Sequence, residues 1–360
     1  MTPAILDSLV GVLNRAFGLP VIREAELPAN NDAWGKLLKL SIKQRVLPLV
    51  VSWMDALPEE QIPTGQAVIR AYLSSEHTRE DVRHRFDVLE NLAKQLGEGG
   101  LELMLLKGAT LSVRYPAPEL RYFGDIDFYL FGESARGNEL MAAKGIVNKD
   151  SYHHHTQASL EGVLLENHYD FVDLENHKSN RVLNDALTAM APNARIPFSI
   201  PGKDPLPNVY RMSPTMEAVF LMRHMSGHFA ASETELRQLY DWVLLLRDDA
   251  DKIDWQEVTR LYEASGMMYF ARIICWIMRE KLGLDLPLPL EPAGGALAEK
   301  VWADMFAGSS TNRFRRGSLL FNLREAQVLL QNRWKYKLVY PGESFAGVVL
   351  GMLWLKIKGR

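Results

Sequence analysis

The segment LRYFGDIDFYLF, Leu120 to Phe131, constrains the fold most. Its aromatic and aliphatic content reads as a buried β-strand, yet Asp125 and Asp127 lie inside it. Side chains alternate across a strand, so Asp125, Asp127 and Tyr129 share one face while Ile126, Phe128 and Leu130 share the other. The apolar face can join a core; the acidic face must look onto something polar. Two carboxylates about 7 Å apart on one side of a strand repel, and burial raises their pKa values unless a cation stands between them. A divalent metal bound to a phosphate meets that requirement.

Around this strand the chain falls into three parts. Residues 1–99 carry helical apolar spacing divided by Pro20, Pro28, Pro58 and Pro63, and the last helix, from Gly65 to about Leu96, ends at Gly99 and Gly100. LELMLLK (101–107) then reads as a short buried strand and GATLSVRYP as a helical turn. A helix spans Ser134 to Ala143, and two further strands are expected around Ile146 to Thr156 and Gly162 to Phe171. After a Pro-rich connection, IPFSIPGKDPLPNVY, the pattern is helical again, broken by LDLPLPLEPAGG. The expectation is an α+β fold: a small mixed-sheet core at 100–204, flanked by an N-terminal helical segment at 1–99 and a C-terminal helical domain at 205–360.

Composition narrows the function. The 360 residues hold 41 Lys and Arg against 44 Asp and Glu, a net charge of -3, which argues against bulk nucleic-acid binding. One cysteine, Cys275, excludes an intramolecular disulfide, sits in an apolar stretch and fits a reducing cytoplasm. The N-terminus reads as an amphipathic helix rather than a signal peptide. No run reaches the roughly 20 apolar residues that span a bilayer. The C-terminal FAGVVLGMLWLKIKGR is expected to be a core helix with a solvated basic end.

Three features bear chemistry: LLKGAT (105–110), RYFGDID (121–127) and LLENHYDF (164–171). In the first, a strand enters a helical turn through a glycine, offering the N–H groups of Gly108, Ala109 and Thr110 to an anion beside the charge of Lys107. Asp125 and Asp127 supply oxygen ligands for a hard cation such as Mg²⁺. In the third, alternation puts Glu166, His168 and Asp170 on one strand face, so Glu166 can be a third carboxylate, with Asp170 and Asp173 as alternatives.

LKGATLSVRYPAPELRYFGDIDFYLF resembles the bacterial nucleotidyltransferases of the DNA polymerase beta superfold, most closely the uncharacterised group with LKG, a tyrosine-proline step and R-x-x-x-D-I-D. The abortive-infection toxin nucleotidyltransferases share a similar layout. The resemblance implies that Asp125, Asp127 and Glu166 bind catalytic Mg²⁺ or Mn²⁺, and that Lys107 and Gly108 lie beside a nucleoside triphosphate. Arg121 matches the arginine of the pattern. The Gly-Ser of the wider superfold is replaced by Lys107-Gly108, and Thr110 stands in for the missing hydroxyl.

Other motifs have blander readings. His153, His154 and His155 form a run that could bind a transition metal, but with no third ligand of secure spacing they are expected at a solvated or substrate-facing strand end. His224 and His228, like Arg237 and Asp241, stack four apart on helices, a spacing that also suits zinc; the resemblance implies similar positions in the helical half of the family, and they are expected to wall the cleft or bond between helices. RFRRG (313–317) and NRWKYKLVY (332–340) are expected as solvated faces, with acceptor contact the sharper reading. The resulting expectation is a metal-dependent transfer of a nucleoside monophosphate from an NTP to the hydroxyl of an acceptor (a small molecule, glycan, protein or tRNA), releasing pyrophosphate. The alternatives are a toxin-like tRNA- or protein-modifying enzyme and a non-catalytic nucleotide-binding scaffold.

Overall fold

The computed structural model describes residues 3–151, 154–231, 234–287, 289–307, 319–347 and 349. The N-terminal part forms α1 (Pro3–Ala16), α2 (Asn31–Lys43), α3 (Leu47–Met54) and the long α4 (Gln66–Glu98). Local chemistry sets these boundaries: the Asn30 side chain accepts from the Ala33 N–H to cap α2, and Pro48 occupies the first turn of α3, where its missing N–H costs nothing.

The middle of the chain contributes β1 (Leu103–Leu105), α5 (Ala109–Ser112), β2 (Asp125–Tyr129), α6 (Ser134–Ala143), β3 (Val147–Ser151), β4 (His155–Leu160), β5 (Val163–His168), α7 (Arg181–Met190), β6 (Ile196–Pro197) and β7 (Val209–Arg211). One mixed sheet runs in the order β3-β4-β5-β2-β1-β7-β6. β2 is parallel to β5 and β1 to β7, while the other neighbours are antiparallel. The parallel pairing sets Asp127 opposite Glu166. Two details differ from the sequence reading. The expected strand at Ile146 to Thr156 is two strands, β3 and the start of β4, and the Pro-rich connection supplies β6 and β7. Pro197 is tolerated because β6 is an edge strand, where a missing donor leaves no ladder bond unmade.

The C-terminal part holds α8 (Pro214–Ala231), α9 (Leu236–Asp249), α10 (Trp255–Ala264), α11 (Met268–Trp276), α12 (Ala296–Asp304), α13 (Leu319–Gln331) and α14 (Arg333–Val339). Two hydrophobic clusters sandwich the sheet. On one face Ile126, Phe128, Leu130 and Leu165 pack against Phe86, Leu89, Leu92 and Leu96 of α4. Each such fully buried side chain contributes about 1.5–3 kcal/mol. The opposite face, through Met104 and Tyr129, joins a larger cluster built from both helical parts. α4 serves both, because its Val68 and Ala71 belong to the larger cluster.

The N-terminal segment also clasps the C-terminal one. Asn14 donates to the Leu282 carbonyl at 2.8 Å and accepts from the Tyr240 hydroxyl at 2.7 Å, while Val21 and Leu284 form a β-bridge. Among the described residues no helix is long and apolar enough to cross a membrane. His153, RFRRG and most of the C-terminal apolar run lie outside the described residues.

Candidate active site

The turn after β1 is shaped by a glycine. Gly108 has φ +63°, and a Cβ there would lie 3.2 Å from the Phe123 ring, so both backbone and space demand glycine. Its carbonyl accepts from Ser112 N–H at 3.0 Å and from Arg121 Nη1 at 3.1 Å. Arg121 is 2% exposed and grips both oxygens of Asp241 on α9, at 2.7 and 2.6 Å, with the Tyr115 hydroxyl donating to the same carboxylate. Arg121 therefore ties the turn to the C-terminal part and has its guanidinium committed to protein partners. Thr110 is buried with no hydrogen-bond partner for its hydroxyl, and it lines neither arm of the cleft described below.

Strand alternation brings the acidic residues together. Lys107 Nζ lies 3.5 Å from Asp125 Oδ2 and 3.1 Å from Asp127 Oδ2. From β5, His168 Nε2 stands 3.2 Å from Asp127 Oδ1 and 3.8 Å from Glu166 Oε2, while its Nδ1 lies 3.2 Å from the Asp170 carbonyl oxygen. From β4, Gln157 donates to Glu166 Oε1 at 2.9 Å, and His155 Nε2 approaches that oxygen to 3.4 Å. Asp170 itself accepts from Asn184, and Asp173 from Asn176, so of the three candidate third acids Glu166 is the one beside Asp127.

Burial opposes charge here, and the neighbours overrule it. Burial works against the Lys107 ammonium, but Asp127, Asp125 and Glu166 hold its pKa above the ordinary value. Burial likewise penalises the Glu166 carboxylate, yet its bond to His168 and the charge of His155 pull its pKa down to about 2. His168, disfavoured by burial, is raised to about 8 by Asp127 and Glu166. His154 is pushed down to about 3 by burial and by the two neighbouring imidazoles.

This cluster lies where two arms of a cleft meet, both lined by Lys107, Asp125, His224 and His228. The first arm adds Arg45, Tyr122 and Arg237. Arg45 comes from the turn between α2 and α3, holds a left-handed φ of +57°, and lies over the Tyr122 ring at 5.2 Å. Sequence reading missed it; its only signal is a basic residue after a helix end, which many surface turns share. The second arm adds Phe171, Asp173, Phe220 and Tyr340, the last stacked on His177 at 3.6 Å. His224 and His228, with rings 4.5 Å apart, form the shared wall, and burial pushes His228 down to about 4. Most of NRWKYKLVY packs internally: Trp334 meets Phe229 edge-on, and Lys335 pairs with Asp304 at 2.5 Å.

The donor set suits a divalent cation. Three carboxylates surround one lysine, and Asp127, 1% exposed, is buried with Lys107 Nζ 3.1 Å from its Oδ2 and His168 Nε2 3.2 Å from its Oδ1. Oxygen-rich sites of this kind bind hard divalent ions.

The chain matches, over residues 30–283, the profile of a family described as uncharacterised nucleotidyltransferases, and it belongs to that family. A solved structure, the antigenic nucleotidyltransferase-like protein from Paracoccidioides brasiliensis, is similar at 15% identity over 45% of this chain and 74% of that chain, with a TM-score of 0.30. The comparison with curated proteins returned no match.

Proposed function

We propose that the protein transfers a nucleoside monophosphate from an NTP to an acceptor hydroxyl and releases pyrophosphate, with the 100–204 core as its catalytic part and the cytoplasm as its compartment. The observation that carries this reading is the convergence of Asp125, Asp127 and Glu166 with Lys107 at the junction of two cleft arms. One arm can hold the triphosphate while the other admits the acceptor. Asp125, Asp127 and Glu166 would hold Mg²⁺ or Mn²⁺. Such an ion supplies charge that stabilises the α-phosphate as it is attacked and lowers the pKa of the acceptor hydroxyl.

The chain's own residues do the remaining work. Lys107 offers a mobile ammonium that can turn from the aspartates toward phosphate oxygens. Arg45 and Arg237 bring two further cations to the first arm, where Glu235 lies 3.5 and 3.2 Å from them and leaves one positive charge in surplus for a polyanion. Arg121 keeps the Gly108 turn in place through Asp241 and is a positioning residue. Phe171, Phe220 and Tyr340 present apolar and aromatic surface to the acceptor side. The acceptor oxygen forms a bond to the α-phosphorus as the bond to the β-phosphate oxygen breaks, and the hydroxyl proton passes to a carboxylate of the acidic face.

The test is incubation with each labelled NTP, Mg²⁺ or Mn²⁺ and a cell extract. A labelled acceptor formed by the wild type and lost in Asp127→Asn supports the reading. If none of ATP, GTP, CTP and UTP yields a product or shifts the melting temperature at millimolar concentration, the reading fails.

A further inference from the structure

The acidic face is not uniform along its length. At the Lys107 end, Asp125 and Asp127 offer oxygens alone. At the other end nitrogen enters. The ligand atoms of Asp127, Glu166 and His168 lie within 4.8 Å of one another, and those of His154, His155 and His168 do the same. His168 belongs to both groups because β4 and β5 pair His155 with His168 directly.

The orientation of His168 is that of a ligand. Its Nδ1 faces the Asp170 carbonyl oxygen, which only accepts, so that nitrogen must carry a proton. Nε2 then points between Asp127 Oδ1 and Glu166 Oε2. A backbone carbonyl that fixes one imidazole nitrogen while the other faces carboxylates is the arrangement that orients metal-binding histidines. His155 Nε2 reaches the same carboxylate, Glu166, from the neighbouring strand. Asp127, 1% exposed, turns Oδ1 into this group, 3.2 Å from His168 Nε2, while its Oδ2 faces the Lys107 ammonium at 3.1 Å.

We infer that Asp127, Glu166, His168 and His155 form a mixed nitrogen-oxygen site for a first-row transition ion, of the Mn²⁺, Co²⁺ or Zn²⁺ class, in preference to Mg²⁺. The inference rests on the proposed transfer site and specifies its cation. Imidazole favours the first-row transition metals, whereas Mg²⁺ demands octahedral oxygen coordination and keeps several waters. The ligands come from three adjacent strands, β2, β4 and β5, so their spacing is fixed by ladder bonds rather than by a loop.

Co²⁺ titration of the full chain without nucleotide tests this through the visible d–d absorption. The expected result is a saturable band that survives a large excess of Mg²⁺, weakens in His168→Gln by at least about 10–100-fold in affinity, and changes shape in His155→Gln. A circular dichroism spectrum shows whether each variant is folded. If His168→Gln does not fold, Mg²⁺ competition on the wild type and the His155→Gln band decide. Mg²⁺ displacing Co²⁺ at similar concentrations, or folded variants with unchanged bands, overturns the inference. Transfer supported by Mg²⁺ with no Co²⁺ band sinks this inference and leaves the proposed function standing; a Co²⁺ site in a protein that never labels an acceptor does the reverse.

Discussion

Two clusters of buried charge meet at the Gly108 turn, and they are built to opposite rules. Arg121 and Asp241, though they border the first arm, match one cation to one anion through two parallel hydrogen bonds, at 2.7 and 2.6 Å, with the Tyr115 hydroxyl on the same carboxylate and Arg237 farther off at 3.9 Å. Arg114 likewise is buried against Glu217 and Asp249, and the two further cations Lys252, on Asp249, and Arg247, on Asp248, balance the carboxylates around it. Lys107, by contrast, faces three carboxylates and opens onto both arms of the cleft. A balanced pair whose donors and acceptors are all engaged has little capacity for a ligand. An open cluster with surplus negative charge retains attraction for a cation. Charge balance, more than burial, separates the strut from the site.

Breaking the closed cluster is expected to give the largest effect. Arg121→Met leaves the Asp241 carboxylate buried without its partner and should cost about 3–5 kcal/mol of stability, read from urea unfolding. Adding Asp241→Leu should restore most of it, since an apolar pair of similar volume replaces a buried ion pair at little cost. If the double variant is no more stable than the single one, the pair is not the independent strut described here.

The open cluster should respond in activity instead. Asp125→Asn preserves shape while removing a charge, so transfer should fall by about 100-fold or more while the urea midpoint stays close to wild type. Initial rates with labelled NTP measure this. A variant with near wild-type turnover would remove Asp125 from the site.

The wall between the arms gives a smaller, pH-dependent signal. His228 titrates near pH 4 in the fold, well below the ordinary 6.5. Between those values the unfolded chain takes up a proton that the folded chain does not, so the stability present above pH 6.5 is lost as pH falls toward 4. His224 is lowered too, by burial first and by His228 next, and adds in the same direction. His228 stands at the exposed mouth of the cleft, so solvent screening leaves the loss well below the roughly 1.4 kcal/mol per pH unit of a fully buried group. Urea midpoints at pH 7 and 5 should differ, and His228→Asn should flatten the difference. An unchanged slope in the variant would show that the shift of His228 does not contribute to the pH dependence of stability.

The smallest effect is an absence of reaction. Burial pushes the Cys275 thiol up to about 12, so the native protein should react with a thiol reagent at least about 100-fold more slowly than the urea-unfolded chain. Equal rates would contradict its place in the core.

The acidic strand and its two faces were legible because a period of two is a local rule. Ile126, Phe128 and Leu130 fall into one cluster and Tyr129 into the other, as alternation requires. The helix at Ser134 to Ala143 was equally readable. Contacts made over long sequence separations were not. Arg45 reaches the cleft from the α2–α3 turn, and Arg121 finds Asp241 across 120 residues. The histidine cluster fell between these cases. His155 and His168 were each visible, but only the β4–β5 register brings them side by side. β6 and β7 were hidden because a proline-rich stretch reads as a connection unless its edge position is known.

The clasp between α1 and the Leu282–Leu284 turn has a consequence for biosynthesis. Val21 and its bridge partner Leu284 are 263 positions apart. At about 5–20 residues per second, translation separates their emergence by about 13–53 seconds. Throughout that interval Leu9, Leu13 and Phe17, which are buried in the finished protein, have only part of their covering. Arg45 waits similarly for Arg237, and the second arm waits for Tyr340. The cleft is thus completed late, and ribosome-bound chains stalled before residue 284 should show α1 open to protease while full-length chains protect it.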